Sequence, residues 1–211
     1  MIASADGSAS LKGRTSGLGG ESDHALFAVL RTLADVVLVG AGTLRAESYG
    51  PVRLDSAART LREGWGLPPV PAIAVLTRSC RLDWQTRFFS EAEERPLVLT
   101  TASADKADRD QAAEVAEVIV AGDTEVDLAL GLEGLADRGA DNVLAEGGPH
   151  VSAQLAAAGF LDELCLTLAP LVVAGKAARI LDGPALDQPF ELDLNQVLES
   201  DGYLFLRYRR R

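Results

Sequence analysis

The stretch Val-Leu-Val-Gly-Ala-Gly-Thr-Leu-Arg-Ala-Glu, residues 37–47, decides the fold class. Its apolar start predicts a buried strand over residues 36–39, and the small residues 40–42 end that strand. A strand that runs into such residues lets a ligand approach the backbone at the strand's carboxyl end. Thr43 would then offer a hydroxyl and a backbone N–H, and Glu47 would supply charge. A strand that ends in an ordinary tight turn is the alternative interpretation.

A second stretch, Val-Leu-Ala-Glu-Gly-Gly-Pro-His-Val, covers residues 143–151 and has a similar design. A strand ends at Glu146, Gly147 and Gly148 make a turn, and Pro149 suits the first turn of a helix. The N–H groups at a helix start bind anions, and a dinucleotide pyrophosphate is such an anion. Turns of this kind are also common without a ligand. Together, the two strand ends predict two sides of one ligand cleft.

Strand-like and helix-like segments alternate along the rest of the chain, which predicts an α/β fold. Apolar runs predict strands at 2–5, 72–76, 96–100, 117–120, 142–145 and 163–169. Helical spacing or composition predicts helices at 23–33, 102–116, 128–138 and 151–158, and the Pro-containing segment 51–71 predicts a loop. Two late runs, 196–200 and 203–208, flank Asp201-Gly202 and predict a hairpin. We therefore predict one domain over residues 1–211, with a mixed, mostly parallel sheet flanked by helices and an antiparallel C-terminal hairpin.

Composition argues against several classes of protein. The 211 residues are 47% hydrophobic and 24% charged, which is typical of a globular domain. A formal charge of −11, from 20 basic and 31 acidic residues, argues against a nucleic-acid partner. No apolar run approaches the ~18 residues that span a bilayer, and the N-terminus lacks a secretory pattern, so we predict a cytoplasmic protein without a membrane partner. Cys80 and Cys165 lie far apart, and neither they nor the two histidines, His24 and His150, have the spacing of a zinc site or of a zinc deaminase, so we predict no metal.

Four motifs together resemble one known family. They are Ser4-Ala5-Asp6-Gly7, Val39-Gly40-Ala41-Gly42-Thr43, Glu146-Gly147-Gly148-Pro149 and Leu161-Asp162-Glu163-Leu164. In order and spacing they resemble the C-terminal reductase domain of the bifunctional riboflavin-biosynthesis deaminase–reductases, across essentially the whole chain. The resemblance implies a stand-alone reductase with a dihydrofolate-reductase-like fold, NADPH as cofactor and a homodimer. Because the predicted first strand begins almost at the first residue, we expect a few natural residues before Met1.

The resemblance also implies which residues bind the cofactor. Ala3 would lie against the nicotinamide, and Thr43 and Glu47 would contact the cofactor as well. The segment Thr77-Arg78-Ser79 would hold the adenosine end, where an arginine with two hydroxyls suits a 2′-phosphate and favours NADPH over NADH. The pyrophosphate would be held by the turn into the late helix, which comprises Gly147, Gly148, Pro149, His150 and Val151.

The implied reaction is that of 5-amino-6-(5-phosphoribosylamino)uracil reductase. Hydride reaches C1′ of the ribosylamine and gives the ribitylamino product of riboflavin biosynthesis. The residues that the resemblance places at the substrate are Ser16, Arg31, Arg53 and Glu146. For the proton, Asp6 or Glu146 would be the catalytic group. Asp-Gly is a standard turn pair, so a purely structural Asp6 is the alternative.

Two departures from the family pattern leave the substrate open. Ser8 stands where many members carry a basic residue, and Tyr49 lies in the segment after Thr43 where an acidic pair and a proline are common. A dihydrofolate or pterin reductase, or another imine reductase, on the same scaffold is therefore one alternative. A paralogue that binds nucleotide without turnover is another.

Overall fold

The computed structural model describes residues 1–47 and 49–211. Ser48, within the segment that departs from the family pattern, lies outside the described residues. The contacts divide the chain into two compact units, each described here by itself. One comprises Met1–Phe27 and Gly147–Arg211, and the other comprises Ala28–Glu146. A single domain over 1–211 therefore stays a prediction.

Strands and helices alternate over most of the described chain. The strands are β1 (Ile2–Ser4), β2 (Val36–Gly40), β3 (Ala72–Leu76), β4 (Leu97–Thr100), β5 (Glu117–Val120), β6 (Val143–Gly147), β7 (Glu163–Ala169), β8 (Leu192–Ser200) and β9 (Tyr203–Arg210). The helices are α1 (Glu21–Leu33), α2 (Ala41–Ala46), α3 (Ser56–Gly64), α4 (Arg87–Ser90), α5 (Lys106–Val115), α6 (Leu128–Ala136) and α7 (Pro149–Ala157). Across residues 1–47 and 49–211, no helix combines the length and the apolar character that crossing a membrane requires.

The first sheet has the strand order β5-β4-β3-β2-β6. The pairs β2–β3, β3–β4 and β4–β5 are parallel, and Gly40 at the end of β2 lies opposite Leu76 at the end of β3. All five residues of β2 are buried. Val37 and Val39 belong to the apolar cluster on one face, and Val36 and Leu38 to the cluster on the other. Burial on both faces explains why β2 is an unbroken apolar run rather than an alternating one.

The second sheet has the strand order β1-β7-β9-β8. The pair β1–β7 is parallel, whereas β7–β9 and β8–β9 are antiparallel. Asp201 and Gly202 both have positive φ, +54° and +80°, which suits the two-residue turn of a hairpin. The predicted C-terminal hairpin is confirmed, although both strands are longer than predicted.

The mixed α/β fold is confirmed, with two differences from the prediction. Within the described residues the strands form two sheets rather than one. Helices α2, α3 and α4 occupy segments that the sequence did not predict as helical. At α3 the physical reason is a cap, because the side chain of Asp55 accepts a hydrogen bond from the Ala58 N–H at 2.8 Å. Helix α2 begins directly after Gly40, where the glycine pattern had predicted only a turn.

A buried arginine side chain caps the C-terminal end of α1. Arg62 is fully buried, and its Nη1 donates to the carbonyls of Thr32 at 2.9 Å and Ala34 at 2.6 Å. Its Nε donates to the carbonyl of Pro68 at 2.7 Å. Carbonyls at a helix C-terminus have no partner within the helix, so Arg62 acts as a C-terminal cap for α1. Burial lowers the pKa of this guanidinium.

Candidate active site

In the unit 28–146, parallel pairing brings two predicted segments to one edge of the sheet. Because Gly40 lies opposite Leu76, the residues that follow, 41–43 and 77–79, come at the same carboxyl edge. Thr43 lies half-buried in α2. Thr77 is buried, and its N–H donates to the Leu99 carbonyl at 2.9 Å. This edge therefore carries two of the hydroxyl groups predicted to meet the cofactor.

A buried ion pair joins two of the predicted substrate residues. Arg31 on α1 donates from Nε to Oε1 of Glu146 and from Nη2 to Oε2, both at 2.7 Å. The side chain of Glu146 is 1% exposed and that of Arg31 is 18% exposed. Burial raises the pKa of Glu146, and the two hydrogen bonds from Arg31 counter part of that rise. The carboxyl group thus lies in a site where both its charge and its oxygen atoms have a partner.

Tyr49 belongs to the same cluster. Nη2 of Arg31 also donates to the Tyr49 hydroxyl at 2.9 Å, and the guanidinium carbon lies 5.8 Å from the centroid of the tyrosine ring. Sequence reasoning identified Tyr49 only as a departure from the family pattern and missed this contact. The pairs Arg31–Glu146 and Arg31–Tyr49 span 115 and 18 positions, so no local motif could have predicted them.

The second predicted substrate arginine has different partners. Arg53 is 54% exposed and pairs with Glu91 at 2.9 Å and Glu93 at 3.2 Å. Arg59 also pairs with Glu93, at 2.7 Å. The structure therefore brings Arg31 and Glu146 together but places Arg53 in an exposed network of arginines and glutamates.

The predicted adenosine-binding segment is largely open to solvent. Arg78 is 68% exposed and pairs with Glu125 at 2.9 Å. Ser79 is exposed, and its hydroxyl accepts a hydrogen bond from the Arg81 N–H at 3.4 Å. At the end of α2, the backbone N–H of Glu47 donates to the Thr43 carbonyl at 3.0 Å. The side chains of Arg78 and Ser79 could meet an adenosine phosphate after the exchange of an exposed ion pair.

In the other unit, the turn into α7 has the predicted form. Gly147 has φ +101°, a conformation that favours glycine, and Gly148 is the N-cap of α7 with Pro149 in its first turn. Within the described residues, no side chain caps this helix. Nδ1 of His150 lies 2.5 Å from the Asp182 carbonyl, which can only accept, so Nδ1 carries the proton. The first N–H groups of α7 are thus not covered by a side-chain cap from the described residues, and such groups could hold an anion.

Three further residues of the predicted site, Ala3, Ser16 and Val151, also lie in this unit. Ala3 is buried in β1 opposite Leu168 of β7. Val151 is buried in α7, and Ser16 lies in an exposed turn. The parallel pairing of β1 with β7 therefore fixes the position of Ala3.

Asp6 has a structural environment. It accepts hydrogen bonds from the Ser4 hydroxyl at 2.5 Å and from the N–H groups of Val173 at 3.1 Å and Ala174 at 2.7 Å. These bonds lower its pKa to about 2, with the Ser4 bond as the largest cause. A carboxylate of this kind is ionised near neutral pH and has no proton to give. The structure favours the structural alternative for Asp6.

Ser8, the other departure from the family pattern, also has structural contacts. It is buried, its hydroxyl donates to the Ser10 carbonyl at 2.6 Å, and its N–H donates to the Ser4 hydroxyl at 2.9 Å. A long basic side chain at this position would therefore need a different loop conformation.

Among the described residues, no three His, Cys, Asp or Glu side chains form a group that could hold a metal ion.

Comparison with known proteins identifies the family. The RibD C-terminal domain matches residues 1–204. The 2,5-diamino-6-ribosylamino-4(3H)-pyrimidinone 5′-phosphate reductase of Methanothermobacter thermautotrophicus is 29% identical over 187 residues, which are 87% of this chain and 82% of that protein. The protein of the same name from Archaeoglobus fulgidus is 28% identical over 164 residues, 77% of this chain and 74% of that protein.

A solved structure agrees with these relatives. A pyrimidine reductase-like protein of Corynebacterium diphtheriae is 31% identical and has a TM-score of 0.88, over 100% of this chain and 89% of that chain. This similarity confirms the predicted dihydrofolate-reductase-like fold, and the relatives confirm the resemblance carried by the four motifs. The chain belongs to the RibD C-terminal domain family, and the curated relatives that it resembles are reductases of a ribosylamino-pyrimidinone 5′-phosphate.

Proposed function

We propose that this chain is the NADPH-dependent reductase of a phosphorylated ribosylamino-pyrimidine. The first candidate substrate is 2,5-diamino-6-ribosylamino-4(3H)-pyrimidinone 5′-phosphate, the compound in the names of the curated relatives. The deaminated counterpart, 5-amino-6-(5-phosphoribosylamino)uracil, is the comparison substrate. The observation that carries the proposal is the buried pair of Arg31 with Glu146, which lies on two of the residues that the family motifs assign to the substrate.

The residues at the turn into α7 fit a dinucleotide. Gly147 has the positive φ that a close backbone turn needs, and the N-cap Gly148 has no side chain that would cover the start of the helix. The N–H groups of His150 and Val151 would therefore bind the pyrophosphate.

The preference for NADPH would come from the segment after β3. A 2′-phosphate would replace Glu125 as the partner of Arg78, with Ser79 as a second donor. That exchange costs little, because an exposed ion pair contributes about 0–1 kcal/mol. A cofactor without the 2′-phosphate offers Arg78 no such partner, so we expect weaker binding of NADH.

The chain's own residues would manage the proton of the reaction. The opened imine form of the substrate takes hydride at C1′, which NADPH supplies when bound, and one proton at the imine nitrogen. Glu146 is the better of the two predicted carboxyl groups, because burial raises its pKa whereas that of Asp6 falls to about 2. Arg31 would orient Glu146 and stabilise its carboxylate form, the form that takes part in the ion pair described above.

A titration followed by turnover tests the proposal. The protein is titrated with NADPH and with NADH, and each pyrimidine is then added while the nicotinamide absorbance is followed. We expect tighter binding of NADPH and oxidation that depends on the 2,5-diamino substrate. Turnover of dihydrofolate instead would establish the pterin alternative, and binding without oxidation in any mixture would establish the non-catalytic paralogue. If neither nucleotide binds, the proposal is wrong.

A variant pair tests the origin of the cofactor preference. Arg78→Gln should lose the preference for NADPH, because the partner of the 2′-phosphate is gone. Arg81→Gln is the matched control, since Arg81 is also exposed and pairs with Asp108 at 3.0 Å. Equal preferences in the two variants would contradict the role of Arg78.

A homodimer, which the family resemblance implies, and a cytoplasmic location, which the sequence pattern predicts, complete the proposal. Light scattering at micromolar protein concentration tests the dimer, and a mass of one chain would contradict it.

A further inference from the structure

Tyr49 is fixed by the core of the unit 28–146. Its ring meets the edge of Phe88, with the centroids 6.2 Å apart and an interplanar angle of 60°. Phe88 is fully buried and packs on Phe89, which in turn packs on Trp84, with centroids 4.8 Å apart in both pairs. The position of the tyrosine hydroxyl is therefore set by an aromatic cluster and not by the loop alone.

That hydroxyl and Glu146 bind two adjacent edges of one guanidinium group, which share Nη2. An arginine has five N–H donors, one on Nε and two on each Nη. Nε of Arg31 donates to Glu146, and Nη2 donates both to Glu146 and to Tyr49. The two hydrogens of Nη2 lie in the guanidinium plane. When one bonds to Glu146 and the other to Tyr49, the orientation of that plane is fixed.

We propose that Tyr49 is a positioning residue of this reductase, whose hydroxyl holds the Arg31 guanidinium side-on to Glu146 so that the pair meets the substrate in one orientation. The catalytic consequence of this inference rests on the proposed function. The arrangement of Tyr49, Arg31 and Glu146 does not, because it follows from the contacts described above. Glu146 alone leaves the guanidinium two ways to bind a carboxylate, through the Nε–Nη2 edge or through the two Nη groups. The bond to Tyr49 selects the first of them.

The variant Tyr49→Phe tests this role without a change in packing. The phenyl ring keeps the contact with Phe88, and only the hydroxyl is lost. Since a hydrogen bond to a charged group is removed, we expect kcat/KM for the pyrimidine substrate to fall about tenfold, mainly through KM. The Kd of NADPH should stay near the wild-type value. The thermal midpoint should fall by roughly 3–6 °C, the lower limit for the loss of one hydrogen bond to a charged group. Tyr208→Phe on β9 is the matched control and should leave all of these quantities unchanged.

A spectroscopic readout separates this inference from the proposed function. In the wild-type protein, NMR of the Arg31 side chain should show slow rotation of the guanidinium about the Nε–Cζ bond, and Tyr49→Phe should accelerate it. Wild-type kinetics and unchanged guanidinium rotation in Tyr49→Phe would overturn the inference. If the wild-type protein reduces neither pyrimidine, the proposed function fails, whereas the rotation measurement still decides whether Tyr49 positions Arg31.

Discussion

The variant Arg31→Met would leave the carboxylate of Glu146 buried without its cation. Methionine keeps most of the aliphatic stem but none of the donors, and Glu146 is 1% exposed with two 2.7 Å hydrogen bonds to Arg31. Breaking one side of a buried pair costs about 3–5 kcal/mol. Because Arg31 itself is 18% exposed, water can reach the gap in part, and we expect the lower limit. A loss of about 3 kcal/mol would lower the Tm by roughly 6–12 °C.

The loss should depend on pH in one direction. Burial raises the pKa of Glu146 in the native protein, and the variant removes the cation that counters this rise. The folded pKa of the variant therefore lies further above the unfolded value of about 4.3. A group shifted in this direction contributes stability that is fully present below the unfolded pKa and is lost as pH rises through the folded pKa. Arg31→Met should thus approach wild-type stability near pH 4 and show its full loss above neutral pH.

Urea unfolding at about pH 4 and about pH 8 measures both the size of the loss and its direction. Arg53→Met is the control, because its side chain is 54% exposed and exposed pairs contribute only about 0–1 kcal/mol. Equal losses in the two variants would refute the argument from burial. A loss in Arg31→Met of the same size at both pH values would refute the argument from the Glu146 carboxylate.

Two further predictions concern the other unit. Asp6→Asn should weaken the hydrogen bond that holds the Ala174 N–H, and the stability difference from wild type should shrink as pH falls from about 4 toward 2. A carboxylate with a lowered pKa loses its contribution in that window. Urea unfolding midpoints at several pH values measure the difference, and a difference that does not change with pH would contradict the role of the Asp6 carboxylate. Gly147→Ala should cost about 1–3 kcal/mol and weaken NADPH binding, because alanine is strained at φ +101°. Gly42→Ala is the control, because Gly42 has open space for a Cβ and no positive φ. Scanning calorimetry measures the stability of both variants, and equal losses of stability would contradict the strain argument.

Local sequence patterns predicted the strands well, because a buried strand has apolar residues at consecutive positions. The predicted bounds of β3, β5 and β7 agree with those in the structure, since each strand is an apolar run closed by turn residues. Helix α3 escaped prediction because the prolines around it suggested a loop, although Asp55 before an alanine-rich segment was an available capping signal. Helix α2 was not predicted because its glycine and threonine are poor helix formers. Its burial in the fold outweighs that low helix propensity.

The sequence could identify single residues of the candidate site, but it could not predict the contacts between them. The family resemblance identified Arg31 and Glu146 separately, and only the fold brings them within hydrogen-bond distance. The same limit applies to Arg53, which was predicted at the substrate, because its glutamate partners lie 38 and 40 positions away and no local pattern reveals them. Asp6 shows the converse, because its turn motif was visible but its partners at Val173 and Ala174 were not.

The pairing of β1 with β7 has a consequence for the order in which the nascent chain can fold. Residue 2 pairs with residue 167, and ribosomes add about 5–20 residues per second, so roughly 8–30 s separate the synthesis of the two strands. The unit 28–146 is continuous in sequence and can begin to form while the later strands are still being translated. Throughout that interval the backbone N–H and C=O groups of the first strand lack the β7 partner that they have in the folded protein.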